Sequence, residues 1–142
     1  MRRARLRHRE DEDGSVMLLT IGYAVLALVA VLICVDATSL YLEQKRLDAV
    51  ADAAALAAAD GFALDLHGGE VRATLTSQGV RSQARGLVDD VGEGAVLVSA
   101  DTPDGRSARV TVGGTWHPPV LTLFVPEGVE LTATATSRTA LR

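Results

Sequence analysis

The side chains that could carry catalytic or metal chemistry are scattered along this chain. Its three histidines lie far apart in the sequence: His8, His67 and His117. None of them lies in a metal-ligand or nucleophile motif, and no serine lies in a nucleophile elbow. The acidic residues Asp89, Asp90 and Glu93 lack the oxygen-ligand spacing of a calcium loop, so we interpret them as the solvated end of a helix. We therefore predict no enzyme, no cofactor, no metal and no small-molecule substrate.

The composition excludes several further classes of protein. One cysteine in 142 residues forms no internal disulfide, and no Cys/His cluster has zinc-ligand spacing. A net charge of −4 argues against nucleic-acid binding, which needs a basic face. The chain is 48% hydrophobic but only 4% aromatic, so alanine, valine and leucine supply its apolar surface. Such a composition favours close helix packing over a deep ligand pocket.

The longest apolar run extends from Ser15 to Val35 and contains neither a charged residue nor a proline. As a helix it would be roughly 30 Å long, which is the thickness of the hydrocarbon layer of a membrane. A core helix in so small a domain would show polar residues on one side. We therefore predict a transmembrane helix over residues 15–35.

The charges that flank this run predict its orientation. Five arginines precede it: Arg2, Arg3, Arg5, Arg7 and Arg9. The first basic residues after it are Lys45 and Arg46. The positive-inside rule then places residues 1–14 in the cytoplasm and residues 36–142 on the outer side of the membrane.

A cleaved signal peptide is the alternative interpretation of this run. The sequence Val35-Asp36-Ala37 loosely resembles a signal-peptidase site, and cleavage there would release a soluble domain that begins at Thr38. The uncharged run is longer than the apolar core of an ordinary signal peptide, and the residues after it continue a helix. Both features favour a retained anchor.

The helix is predicted to continue beyond the membrane, because no glycine or proline follows Val35 until Gly61. Strong helix formers fill this stretch, and Gly61 stands where a C-terminal cap is expected. One apolar stripe, available for helix packing or assembly, is predicted along it: Leu40, Leu47, Val50, Ala54 and Ala57. Periodicity alone leaves open whether this stripe faces the protein's own core or another subunit.

The remaining sequence predicts a small domain of mixed structure. We predict a weak helix from Glu70 to Val91, followed by three or four short antiparallel strands. The apolar runs that predict strands are residues 95–100, 107–116, 120–125 and 129–137. The turn Pro103-Asp104-Gly105 separates the first two runs as in a hairpin. A sheet with one half-solvated face needs cover, which the alanine-rich helix can supply.

The predicted fold class is therefore α+β, with one transmembrane helix that extends into a long amphipathic helix packed on a small antiparallel sheet. Four segments follow from this interpretation: a cytoplasmic segment at 1–14, the transmembrane helix at 15–35, its extension at 36–66, and a small outer domain at 67–142.

Several residues in this arrangement resemble a known family. Asp13-Gly14-Ser15 opens the apolar run, Val35-Asp36 closes it, and the alanine-rich run 46–59, which contains Asp52, follows. This pattern is similar to the N-terminal region of TadE/TadG-like proteins of the Flp (tight-adherence) pilus and secretion apparatus. The resemblance covers residues 13–60, with Asp36 and Asp52 as its acidic motif residues, and implies a pilin-like architecture.

The resemblance implies a bacterial envelope protein without a cofactor that acts as a minor pilin, a pseudopilin or an assembly factor. Its partners would be the membrane and other pilus or secretion-system proteins or pilin-like helices. Relatives cut by a prepilin peptidase usually carry glutamate five residues after the cut glycine, where this chain has Leu19. The bond between Gly14 and Ser15 is the candidate processing site. Because the glutamate is absent, the alternative is a chain that stays whole in the membrane, as the resemblance to TadG-like members implies. A single-pass envelope protein unrelated to pili is the other alternative.

Overall fold

The computed structural model describes residues 4–67 and 70–138, with side-chain surroundings for residues 14–62 and 74–138. Two helices and five strands follow one another along these described residues. They are α1 (Ala4–Asp60), β1 (Ala63–His67), β2 (Glu70–Thr74), α2 (Ser77–Val91), β3 (Val96–Asp101), β4 (Ser107–Trp116) and β5 (Val129–Arg138). The predicted α+β class, a long apolar N-terminal helix with a small antiparallel sheet, is confirmed.

The long helix α1 runs without a break for 57 residues, or about 85 Å. It begins at Ala4, well before the predicted start at Ser15, and ends at Asp60. The helix thus ends where the cap at Gly61 is predicted, and the last residues of the predicted segment 36–66 lie beyond the helix, because the chain enters β1 at Ala63. A Cβ at Gly61 would lie 2.8 Å from Cγ of Gln83, so this glycine also lets α2 approach the end of α1.

The predicted helix from Glu70 to Val91 is wrong in its first part. Residues 70–74 form β2, which pairs with β1 in a separate antiparallel hairpin. The helix α2 begins only at Ser77, where the Oγ1 of Thr76 accepts a hydrogen bond from the Gly79 N–H at 3.2 Å. This N-cap satisfies one of the free N–H groups of the first turn, so the helix starts there.

The main sheet has the strand order β3-β4-β5, and all its neighbours are antiparallel. The central strand β4 pairs with β5 along its whole length, from Ser107 opposite Arg138 to Trp116 opposite Val129. The predicted fourth run, residues 120–125, forms turns instead of a strand. Its backbone hydrogen bonds are local, with the Phe124 N–H donating to the Leu121 carbonyl at 2.9 Å. Pro119 before this run and Pro126 after it have no backbone N–H group, so neither can donate a hydrogen bond to a neighbouring strand.

The core lies between the second half of α1, the helix α2 and one face of the main sheet. On α1 it consists of Leu47, Val50, Ala51, Ala54, Ala55, Ala58 and Ala59. Its other members are Leu75, which precedes α2, and the following residues of α2 and the sheet: Val80, Ala84, Val88, Ala100, Ala108, Val110, Val112, Ala133 and Ala135. The alanines keep the helix close to the sheet, which makes a thin and tightly packed layer. We call this unit, from residue 36 onward, the head.

The turn between β3 and β4 has the predicted chemistry. Asp104 Oδ1 accepts hydrogen bonds from the backbone N–H groups of Arg106 at 2.9 Å and Ser107 at 2.6 Å. These bonds lower the pKa of the Asp104 carboxyl below its usual value, with a smaller contribution from the nearby guanidinium of Arg138. Gly105 takes a φ of +69°, which glycine adopts without strain. The predicted hairpin turn is thus confirmed.

Candidate membrane anchor and helix surface

The apolar run of α1 lies outside the head, and the described residues leave it almost entirely uncovered. From Ser15 to Val35 all side chains are exposed except Leu32, which is half-buried. Within the described residues, α1 is the one helix long and apolar enough to cross a membrane, and none of its apolar window is buried. A soluble core helix would be covered by its own domain, so the structure argues against that interpretation.

The predicted stripe on α1 lies partly on the surface that faces the sheet. Leu47, Val50 and Ala54 are buried in the head, whereas Leu40 and Ala57 are half-buried. The buried surface also includes Ala51, Ala55, Ala58 and Ala59, which the stripe missed. The main sheet covers a broader face of the helix than a single stripe of residues spaced three, four and seven apart. A role of the stripe in assembly stays a prediction.

Asp36 is the buried residue of α1 nearest to the apolar run, with only 6% of its surface exposed. Its Oδ1 accepts a hydrogen bond from the Val120 N–H at 3.0 Å. Its Oδ2 is buried and has no hydrogen-bond partner among the described residues. The carboxylate therefore fastens the β4–β5 loop to the helix where the apolar run ends. The second acidic motif residue, Asp52, is exposed.

Two further contacts hold the head to α1 above Asp36. The indole Nε1–H of Trp116 donates to Ser39 Oγ at 3.1 Å. The guanidinium of Arg46 donates to the Glu93 carbonyl and to its Oε2, both at 2.8 Å. Glu93 has a φ of +39°, so Arg46 holds the turn after α2 in an uncommon conformation. The helix and the head are thus joined at several levels.

One part of the chain is similar to a known protein family. Residues 14–61 match the model of the family described as putative Flp pilus-assembly TadE/G-like. We call residues 14–61, about a third of the chain, the TadE/G-like segment, because they are similar to this family. The resemblance predicted from the sequence is confirmed for this stretch, which supports involvement in Flp pilus assembly. No curated protein and no solved structure matches the chain.

The TadE/G-like segment coincides with α1 from Gly14 to its C-terminal end at Asp60, plus Gly61. The main sheet and α2 lie outside the match. The description of the family refers to pilus assembly and to no catalysed reaction. Among the described residues, no group of three His, Cys, Asp or Glu side chains is placed to hold a metal ion.

The candidate processing site lies inside the TadE/G-like helix. Gly14 and Ser15 are both helical and exposed, and a Cβ at Gly14 would meet nothing within 4 Å. Cys34 is also exposed, on the apolar run of the same helix. These positions are accessible on the helix surface, and processing at Gly14 stays a prediction.

An exposed charged patch on the TadE/G-like segment lies just above its apolar part. Lys45 Nζ and Asp48 Oδ2 are 3.0 Å apart, and Nζ also lies 5.9 Å from the centre of the Tyr41 ring. The hydrogen bond to Asp48 raises the pKa of Lys45, and the same bond lowers the pKa of Asp48. Both groups are exposed, so this pair contributes little to stability.

The backbone at Gly128 sets the return of the β4–β5 loop into β5. Gly128 has a φ of +75°, and a Cβ there would lie 2.7 Å from both Thr115 Cγ2 and the Trp116 carbonyl oxygen. We expect Gly128→Ala to lower the free energy of unfolding by more than the roughly 1–2 kcal/mol of left-handed backbone strain, because a steric clash is added. Denaturant unfolding of the detergent-solubilised protein measures this loss.

Gly105→Ala is the matched control for Gly128→Ala. Gly105 also has a positive φ, of +69°, but a Cβ there would meet nothing within 4 Å. It should show the backbone strain alone. Equal losses of stability in the two variants would contradict the close packing of the loop against Trp116.

Proposed function

We propose that the protein is a non-enzymatic, membrane-anchored component of a Flp/Tad-type pilus or secretion system, as a minor pilin, a pseudopilin or an assembly factor. The observation that carries this proposal is the continuity of α1. One helix contains both the exposed apolar run and the residues that are buried in the head, and both parts lie in the TadE/G-like segment. A displacement of the head is therefore transmitted directly to the membrane helix.

The exposed apolar run supports a role in assembly as well as in anchoring. Apart from the half-buried Leu32, the described part of the chain leaves this run exposed, so most of the circumference of the helix is available within the bilayer. Small residues such as Gly22, Ala27 and Ala30 lie along it and allow other helices to approach closely. Pilin-like helices or membrane-embedded assembly proteins fit such a surface.

The contacts of Asp36 favour a retained anchor over a released soluble domain. A product that began at Thr38 would lack the carboxylate that accepts the Val120 N–H. It would also place its new charged terminus beside Ser39, the partner of Trp116. Removal of the apolar run at this site would thus damage the head. These two contacts therefore support an anchor that stays attached to the head.

Orientation in the membrane is tested by protease added to intact cells. We expect digestion of residues 36–142 in the wild-type protein, because the basic N-terminus is held in the cytoplasm. Replacing all five arginines with glutamine, namely Arg2, Arg3, Arg5, Arg7 and Arg9, should produce a mixed population in which part of the protein is protected. A wild-type head that resists protease while the N-terminal segment is cut would show the opposite orientation.

The proposed function is tested by deletion and complementation. We expect a deletion strain to lose Flp-type surface pili or the substrates secreted by that system, and the full-length chain to restore them. The matched control carries the head on an unrelated apolar helix in place of residues 15–35. It preserves anchoring but changes the helix surface, so failure of this variant would indicate a helix-specific partner. Normal pilus and secretion levels in the deletion strain would overturn the proposal.

A further inference from the structure

The β4–β5 loop, residues 117–128, is the part of the head that reaches toward the apolar run. Three close approaches to α1 show that β4 and this loop run toward the apolar run. A Cβ at Gly114 would lie 3.2 Å from Cδ2 of Leu47. Trp116 contacts Ser39, and Val120 then contacts Asp36. From residue 47 to residue 36 the helix descends about 16 Å. The loop therefore meets α1 next to the end of the apolar run at Val35.

This loop exposes apolar side chains that no described residue of the head covers. The exposed fraction of Leu123 is 92% and that of Phe124 is 81%, and Leu121 is 42% exposed. No acidic or basic residue occurs between His117 and Glu127. Large apolar side chains concentrated at one exposed tip indicate a contact with an apolar partner.

The conformation of the loop is fixed before any partner binds. Pro118 is fully buried, and the Thr122 hydroxyl donates to its carbonyl oxygen. The N–H groups of Phe124 and Val125 both donate to the Leu121 carbonyl, at 2.9 and 3.0 Å. The backbone thus forms a closed turn that presents Leu123 and Phe124 outward. Little conformational entropy remains to be lost when these side chains are covered.

We propose that this loop inserts Leu123 and Phe124 into the interfacial layer of the lipid bilayer, as a second membrane contact beside the transmembrane helix. The exposed apolar side chains of the loop lie next to the apolar run of α1, because Val120 is hydrogen-bonded to Asp36, one residue beyond that run. The partner that would cover the apolar run is lipid, so lipid is also the partner that we infer for the loop. This inference rests on the proposed anchoring of α1 in the membrane, but it does not depend on which pilus component the protein is.

The distribution of charge on α1 also supports a position of the loop in the interfacial layer of the membrane. Asp36 is the one acidic or basic residue between Val35 and Glu43, and the loop buries it. The helix surface from 36 to 42 is therefore free of exposed charge for about 10 Å, which is comparable to the depth at which amphipathic segments lie in the interface. Trp116 and Tyr41, both at this level, are residue types enriched at membrane interfaces. With two contacts, the head keeps a fixed tilt relative to the membrane.

The proposal is tested with the full-length chain reconstituted in phosphatidylcholine/phosphatidylglycerol vesicles that contain lipids with a nitroxide quencher near the headgroup. An environment-sensitive NBD fluorophore is attached at one cysteine per sample. The native Cys34 reports on the helix. In the Cys34→Ala background, Phe124→Cys reports on the loop. Arg106→Cys is the matched control, since this exposed position lies at the opposite end of β4.

We expect the label at position 124 to emit at shorter wavelength than the label at 106 and to lose emission when quencher lipid is added, whereas the label at 106 stays unquenched. If 124 behaves like 106 while Cys34 is quenched, the helix is anchored but the loop lies in water, and the loop proposal is overturned. If Cys34 is also unquenched, the anchoring itself is wrong, and both proposals fall.

Discussion

Ala54→Leu should lower the free energy of unfolding of the head by about 1–3 kcal/mol, because a tightly packed contact has no space for the added methyl groups. Ala54 lies on α1 and is fully buried against the layer formed by the sheet and α2. For a domain of roughly 60–100 residues, each kcal/mol corresponds to a fall in Tm of about 4–8 °C. Thermal unfolding of the full chain in detergent, followed by circular dichroism, measures the shift.

Ala49→Leu is the matched control for this substitution. Ala49 lies on the same helix but is exposed, and leucine is nearly as good a helix former as alanine. Its Tm should stay close to that of the wild type. An unchanged Tm for Ala54→Leu, together with loss of co-purifying envelope proteins, would instead mean that Ala54 contacts another subunit.

Ala49→Pro should abolish pilus assembly or secretion while the protein remains in the membrane. Proline removes the hydrogen bond from residue 49 to the carbonyl of Lys45 and clashes with the preceding turn, at a cost of about 3 kcal/mol or more. Leu47 and Val50 lie in the core on either side of this position, so the break lies within the head and changes the direction of residues 50–60 relative to the membrane part of α1. Cell-surface pili, secreted substrates and membrane-bound protein are measured in parallel.

Ala49→Leu also serves as the control here, since it changes the same exposed position and leaves the helix intact. It should support wild-type pilus levels. Normal output from the Ala49→Pro variant would show that a continuous helix is not needed, and would remove the rigid connection from the account.

The features that were predicted correctly from the sequence depend on local patterns. A long uncharged run, the absence of helix breakers before Gly61 and the turn around Asp104 each determine a structure within a few residues. They gave α1, its C-terminal end and the β3–β4 hairpin. The match of residues 14–61 to the TadE/G-like family also confirms the resemblance that was carried by this same local stretch.

The features that were missed depend on contacts between distant residues. Residues 70–74 were predicted as helix because the apolar spacing continued into α2, whereas pairing with β1 makes them a strand. Asp36 was noted only through the family resemblance, since its partner Val120 lies 84 residues away in the sequence. The buried face of α1 is wider than the predicted stripe because its width is set by the sheet. No periodicity within the helix encodes these partners.

The central claim is that one unbroken helix both holds the protein in the membrane and forms part of its head. The most direct test is intact-mass spectrometry of the mature protein, recovered separately from the membrane fraction and the soluble fraction of the bacterial cells. The account predicts a polypeptide in the membrane fraction that still contains residues 15–35, whether or not the chain has been cut at Gly14. A mature protein that begins at Thr38 and is recovered in the soluble fraction would contradict it.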